Sequence, residues 1–100
     1  MKSNRSKACD ISPEVKAIVA ERDESCVTCG SKYAFPNAHY ISRSKGGLGI
    51  EQNVVMLCPK CHMQYDQGNR IKREILRGMI GRHLHRYYPD FPDDERRYKK

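Results

Sequence analysis

Two short cysteine pairs, Cys26-Val27-Thr28-Cys29 and Cys58-Pro59-Lys60-Cys61, decide the fold of this 100-residue chain. Within each pair the spacing lets both thiolates turn toward one point, so the two pairs together supply four soft ligands for tetrahedral zinc. The alternatives are disulfides, which persist mainly outside the reducing cytosol, and a redox C-x-x-C motif, which needs one pair and a βαβ setting. We therefore predict a structural zinc site made of Cys26, Cys29, Cys58 and Cys61.

The composition explains why such a site is needed. The chain has 38% hydrophobic and 31% charged residues, and a chain this short builds only a marginal core without a staple. A structural zinc contributes roughly 10 kcal/mol to folding. The net charge of +7 favours an anionic partner. The fifth cysteine, Cys9, is expected to be an ordinary free thiol.

The sequence predicts neither a secretion signal nor a membrane span. The longest apolar run, Val54-Val55-Met56-Leu57-Cys58, is far too short to cross a bilayer, and no apolar segment follows the basic start of the chain. We therefore expect a cytoplasmic location.

Three helices are predicted. Ser12 and Pro13 are typical of an N-cap and a first helical position, and apolar residues at helical spacing extend this helix over about 13–23. Pro59 opens a second helix directly after the second cysteine pair. An apolar stripe at intervals of three to four residues predicts a third helix over about 70–86.

Two strands are predicted between these helices, at 39–41 and 53–57, because both stretches are short and rich in β-branched, aromatic or apolar residues. The glycine-rich segment 42–52 joins them as a long loop. Residues 1–11 are expected to be a loose basic start, and the charged tail 93–100 is expected to fray.

Polar residues near the second cysteine pair suggest a second metal site. His62 follows Cys61 directly, and Asp66 lies one helical turn later on the same face, so the two side chains can hold one divalent metal ion. A hairpin would bring His39 back toward this helix. Taken alone, each of these residues has an ordinary structural explanation.

The stretches Ala38-His39-Tyr40-Ile41-Ser42-Arg43-Ser44-Lys45-Gly46-Gly47 and Asn53-Val54-Val55-Met56-Leu57-Cys58-Pro59-Lys60-Cys61-His62 resemble the HNH endonuclease family. The chain is most similar to the small phage members, and the resemblance covers about 26–68. It implies an α+β fold with a ββα-metal core, a four-cysteine zinc site and flanking helices. The length of the chain predicts one domain over 1–100.

The resemblance implies a role for each polar residue. His39 corresponds to the general base that activates water, and Asn53 corresponds to the asparagine that steadies the loop and the base. His62 corresponds to the histidine that binds the catalytic metal, and Asp66 occupies the position of a further ligand in many members. Mg²⁺, Mn²⁺ or another divalent cation would suit this open set of ligands.

One position departs from the family pattern. Members often carry Asp or His directly before the general base, whereas this chain has Ala38. An alignment shifted by one residue would make His39 the metal ligand and Tyr40 the base. Counting back from Gly46-Gly47 favours His39 as the base.

The predicted function is metal-dependent hydrolysis of DNA phosphodiester bonds, by nicking or double-strand cleavage, and Arg43 and Lys45 are predicted to contact DNA phosphates beside the site. The resemblance to phage members also implies a bacterial or phage-infected host cell and a terminase as a partner. The alternatives are a non-catalytic, zinc-stabilised DNA-binding module and, third, a zinc scaffold for protein contacts. The sequence leaves the oligomeric state open.

Overall fold

The computed structural model describes residues 3–99. Four helices and two strands follow one another along the chain: α1 (Asn4–Cys9), α2 (Pro13–Asp23), β1 (Phe35–His39), β2 (Val54–Leu57), α3 (Pro59–Gln67) and α4 (Arg70–Tyr87). Single 3-10 turns occur at Arg43–Lys45 and Asp93–Arg96. No helix in this described part of the chain is long and apolar enough to cross a membrane.

Local capping sets where the longer helices begin. The Ser12 hydroxyl accepts a hydrogen bond from the Val15 amide, and Pro13 occupies the first turn of α2. The Asn69 side chain caps α4 in the same way by accepting from the Lys72 amide. These helices lie where the sequence places helices over 13–23 and 70–86.

The two strands form an antiparallel hairpin in which His39 pairs with Val54 and Ala38 pairs with Val55. An irregularity follows Phe35, where Pro36 has no amide proton to contribute to the ladder. The strand expected at 39–41 lies earlier, because β1 ends at His39 and the chain then turns toward Asn53. The strand expected at 53–57 is β2, Val54–Leu57.

The strand β2 is buried along its whole length because both faces of the hairpin are covered. Val54 and Met56 face one way and pack with Val19 of α2. The alternate residue Val55 joins the cluster on the other face, to which α4 contributes Leu84. The hairpin is therefore a middle layer between α2 and the pair α3 and α4.

The ends of the chain are more ordered than the sequence predicts. Residues 4–9 form α1, and the C-terminal segment returns to the loop between the strands, where Gly47 pairs with Arg97. The Arg96 side chain is fully buried and donates hydrogen bonds to the carbonyls of Gln52 and Phe91. The predictions of a loose start and a frayed tail are therefore wrong for 3–11 and 93–99, while Met1, Lys2 and Lys100 lie outside the described residues.

A buried ionic network ties α2 to α4. The Asp23 carboxylate, which has no exposed side-chain surface, pairs with Arg22 at 2.6 Å and with His83 Nε2 at 2.7 Å, and it accepts from the Met56 amide at 3.0 Å. Burial tends to raise the pKa of Asp23, but the hydrogen bonds from His83, Arg22 and Met56 outweigh this tendency and lower it. The carboxylate is thus held ionised as the link between helix, sheet and helix.

Candidate functional site

The four cysteines predicted to bind zinc meet at one point. Their sulfur atoms all lie within 4.8 Å of one another, and they are the one group of three or more candidate metal ligands found among residues 3–99. All four are free thiols. Four cysteine sulfurs at this separation are positioned to bind one metal ion, and the donor set fits tetrahedral zinc.

Two different local structures present these thiols. The first pair lies on a tight turn, closed by hydrogen bonds from the Gly30 amide to the Cys26 carbonyl and from the Cys26 amide to the Ser31 carbonyl. In the second pair, Cys58 is the N-cap of α3, and its sulfur accepts from the amide of Cys61 one turn later. Turn and helix thus each supply two ligands.

The thiols of this cluster differ in acidity. Burial raises the pKa of Cys61 to about 12. Burial also acts to raise the pKa of Cys26, but hydrogen bonds from the Thr28 side chain and from nearby backbone groups outweigh it and hold this pKa at about 6. Since a metal binds thiolates, binding at this cluster would release protons and strengthen with increasing pH.

Asn53 lies at the base of the loop that joins the strands, and its side chain is fully buried. Its Oδ1 accepts from the Ile41 amide at 2.9 Å, while its Nδ2 donates to the carbonyls of Ile41 at 3.1 Å and Leu48 at 2.9 Å. Because only one orientation of the amide satisfies all three partners, the side chain closes the loop in one conformation. Gly47 adds to this constraint, since a Cβ there would lie 1.6 Å from the Ile41 carbonyl oxygen.

His39 ends β1, directly before this loop. Its Nε2 lies 2.8 Å from the carbonyl oxygen of Cys9, at the end of α1. A carbonyl only accepts, so Nε2 carries the proton of the neutral ring and Nδ1 is the nitrogen that can accept one. Burial lowers the pKa of His39, and the charge of Arg43 lowers it further, while the Cys9 carbonyl opposes both.

His62 and Asp66 lie together on α3, as the spacing predicts. Their Nε2 and Oδ2 atoms are 3.4 Å apart, and both side chains are partly exposed. Two ligands at about 2.1 Å from one divalent ion lie about 3 Å apart in octahedral coordination, so this pair fits a shared metal ion. Both side chains are near enough for their charges to affect the pKa of His39.

One cleft of about 810 Å³ brings these three residues together. His39, His62 and Asp66 all line it. Five basic residues share the lining and come from helices and loop alike: Lys16, Arg43, Lys45, Arg73 and Arg77. A positively charged cleft around His39 and a pair of candidate metal ligands suits a polyanionic ligand such as a nucleic-acid backbone.

Ala38 and Tyr40, the two positions that bear on the alternative alignment, are both buried, although Tyr40 also lines the cleft. Ala38 is fully buried in the core and offers no ligand atom. Tyr40 is also buried, with its hydroxyl oxygen 2.9 Å from where a Cβ on Gly81 of α4 would lie. Burial raises the pKa of Tyr40, and Arg77 stacks over its ring at 5.3 Å. Neither the burial of Tyr40 nor its contacts with α4 favour this residue as a base.

Several residues of the cleft were not predicted as site residues. Arg73 and Arg77 are one turn apart on α4, so their spacing on one helix face could have indicated a shared surface. Lys16 of α2 and the Cys9 carbonyl reach the site through tertiary contacts between distant segments. No sequence pattern predicts that a backbone carbonyl will be the hydrogen-bond partner of a histidine.

A ββα core with four cysteines positioned to bind one metal ion is the arrangement of a small zinc-binding HNH fold, and the comparison with family models agrees. The family model described as HNH endonuclease matches residues 26–68. The chain is also similar to anaredoxin from Nostoc sp. (strain PCC 7120 / SAG 25.82 / UTEX 2576), with 38% identity over 53 residues that cover 52% of this chain and 68% of that protein. No solved structure matches the chain significantly. The chain belongs to the HNH endonuclease family, which associates it with nuclease or DNA-binding activity.

Proposed function

We propose that this protein is a metal-dependent DNA endonuclease in which His39 is the general base. The observation that carries the proposal is the hydrogen bond from His39 Nε2 to the Cys9 carbonyl, in the same cleft as the His62–Asp66 pair. This bond leaves Nδ1 of His39 as the basic nitrogen. A neutral imidazole can remove a proton from water near pH 7, which is typically worth ~10²–10⁴ in rate.

The other residues would prepare the site for this step. Asn53 fixes the loop that follows His39, and His62 and Asp66 would hold the catalytic metal ion. When bound, Mg²⁺ or Mn²⁺ would supply Lewis-acid stabilisation of the charge that develops on the phosphate and the leaving oxygen. The four cysteines would hold a structural zinc that fixes the start of α3.

The basic lining of the cleft supports DNA as the substrate. Lys45 is exposed at the rim, and Arg73 approaches from α4, so a phosphate backbone crossing the cleft would meet positive charge on two sides. We propose a cytoplasmic location in a bacterium or a phage-infected host cell, and phage terminase subunits as partners. The phage-infected host and the terminase partner come from the resemblance to phage members of the family.

A plasmid-nicking assay tests the catalytic part. Zinc-loaded protein is incubated with supercoiled plasmid and Mg²⁺, Mn²⁺ or Ni²⁺, comparing wild type with His39→Ala. We expect His39→Ala to lose about 10²–10⁴ of the rate. His85→Ala is the matched control, because His85 is an exposed histidine paired with Asp93 on another part of the surface. Absence of nicking by wild type with all three metal ions would refute the proposed nuclease activity. Equal nicking rates for wild type and His39→Ala would show that another residue is the base.

A second candidate function is a zinc-stabilised DNA-binding module without catalysis. The buried Ala38 favours it, because the position where members often carry a ligand contributes none here. Duplex binding measured together with plasmid nicking separates the two candidates, since the module would bind DNA but never cut it when metal is supplied.

The binding assay also tests the cleft. Loss of one phosphate contact reduces the slope of log affinity against log salt by about 0.9 for duplex DNA. We expect this reduction for Arg73→Ala. Arg82→Ala serves as the control, since Arg82 is an exposed arginine of the same helix that does not line the cleft. Equal salt slopes for the two variants would contradict DNA binding in this cleft.

A further inference from the structure

The carbonyl of Cys9 is shared by two side chains of the cleft. His39 Nε2 lies 2.8 Å from this oxygen, and Arg43 Nη1 donates to it, also at 2.8 Å. Carbonyls at the end of a helix lack a partner within the helix, which explains why the last residue of α1 has an oxygen available. The oxygen carries partial negative charge, so an arginine and an imidazole N–H are both suitable donors.

The segment 3–10, which includes α1, is held against the loop by contacts of its own. Arg5 donates to the Ser44 carbonyl at 2.9 Å, and the Gly49 amide donates to the Ala8 carbonyl at 3.0 Å. A Cβ on Gly49 would lie 2.0 Å from the Asp10 carbonyl oxygen, so the two backbones touch directly. This close approach of the two backbones therefore requires glycine at position 49.

Arg43 links the loop after β1 to the segment 3–10. Besides the Cys9 carbonyl, its guanidinium pairs with the Asp10 carboxylate, with 2.9 Å between Nη2 and Oδ1. One side chain on the loop thus bridges two consecutive residues at the end of α1. The same geometry occupies two of the donor groups that Arg43 would otherwise direct at a phosphate.

We propose that the segment 3–10, outside the family-matched core at 26–68, is a positioning element of the active site. In this arrangement Cys9 holds His39 in the Nε2–H tautomer with Nδ1 available, and Arg43 is a positioning residue that keeps the Cys9 carbonyl in place. The catalytic consequence rests on the proposed function. The tautomer and its dependence on this segment do not.

The primary experiment measures the tautomer directly. In ¹⁵N-labelled, zinc-loaded protein at pH 8, ring nitrogen shifts distinguish protonated from unprotonated nitrogens, and histidine with its ordinary pKa of about 6.5 is neutral. We expect wild-type His39 to favour Nε2–H by roughly tenfold, which is the size of one net hydrogen bond. A wild-type ring that carries its proton mainly on Nδ1 would overturn the proposal.

Two variants test whether the segment is responsible. Gly49→Ala places a methyl group against the Asp10 backbone, and Arg43→Ala removes the bridge. We expect both to reduce the preference for Nε2–H severalfold. Their controls are Gly78→Ala, where the added Cβ meets only the Arg82 side chain at 3.5 Å, and Arg82→Ala, which removes one exposed arginine that does not line the cleft.

The outcomes separate this inference from the proposed function. If Arg43→Ala alters the tautomer and lowers kcat while Arg82→Ala changes neither, both the positioning inference and the proposed function are supported. If the tautomer shifts as expected but wild type never cuts DNA, the positioning inference stands and the proposed function fails. An unchanged tautomer in Arg43→Ala and in Gly49→Ala would overturn the role of the segment, and if Gly49→Ala does not fold, Arg43→Ala alone decides.

Discussion

Replacement of Asn53 by alanine gives a stringent test of the loop geometry. The substitution removes three hydrogen bonds at 2.9–3.1 Å and leaves the Ile41 amide, the Ile41 carbonyl and the Leu48 carbonyl without their partner. An unpaired buried polar group costs about 1–3 kcal/mol. The hydrogen bond to the Leu48 carbonyl is only partly buried, whereas those to Ile41 are buried, so we expect a total loss of about 4 kcal/mol, mostly from Ile41.

The assay is thermal unfolding of the zinc-loaded protein by calorimetry. For a domain of this size each kcal/mol corresponds to about 4–8 °C in Tm, so Asn53→Ala should melt roughly 15–30 °C below wild type. Asn37→Ala is the control, because Asn37 is exposed on β1 and a surface change of this kind alters stability by about 0.5 kcal/mol or less. Equal melting temperatures for the two variants would refute the role assigned to the buried amide.

Asn53→Asp tests the orientation of that amide. The two side chains have the same shape, but a carboxylate cannot donate to the Ile41 and Leu48 carbonyls, so it would place an acceptor against two acceptors. We expect the Asn53→Asp substitution to destabilise the fold at neutral pH by at least as much as the alanine substitution. A variant as stable as wild type would show that Nδ2 does not donate to these carbonyls.

Three further predictions concern the metal cluster, the buried network and the base. Cys58→Ser removes one ligand and the N-cap of α3, so bound zinc should fall below about one per chain and the far-UV circular dichroism of the fold should be lost; an unchanged Tm would contradict a structural zinc. Asp23→Ala leaves Arg22 and His83 without their shared carboxylate, and urea unfolding should show a loss of about 3–5 kcal/mol, whereas a loss under about 1 kcal/mol would contradict the network. Because burial lowers the pKa of His39, the base stays neutral to lower pH; the nicking rate should be constant from about pH 7 to 8 and fall on acidification with a midpoint below about 6.5, and a midpoint above it would be contrary evidence.

Local signals in the sequence predict the metal cluster and α3 well. The spacing of Cys58 and Cys61 and the proline between them specify the first turn of a helix, and this information lies within four residues of sequence. The same locality applies to His62 and Asp66, which lie one helical turn apart whatever the rest of the chain does.

The position of the first strand shows where local signals mislead. Tyr40 and Ile41 are favourable strand residues, but they follow the strand and are buried in the core cluster to which α4 contributes Ile80 and Leu84. Pro36 and Asn37 are poor strand formers, yet both lie within β1 because pairing with β2 decides its extent. A residue of a type that favours strands can therefore be buried without belonging to the β-sheet.

Contacts between distant segments were beyond prediction from sequence. His83 pairs with Asp23, 60 positions earlier in the chain. Arg96 looked like part of a charged tail, but the fold buries it. In both cases the partner is fixed only when helices and loops meet, and neither residue type nor spacing identifies it beforehand.

The helix α3 carries residues of both the cysteine cluster and the proposed catalytic metal site, which would make the two sites interdependent. Cys58 and Cys61 occupy its N-cap and first turn, and His62 follows at the next position with Asp66 one turn later. A metal held by the cysteine cluster would therefore fix the end of the helix from which His62 projects, and with it the direction of the proposed ligand pair toward His39. If the proposed function holds, the cluster both stabilises a small core and orients the proposed site, because a rotation of α3 about its metal-bound end would move His62 and Asp66 together.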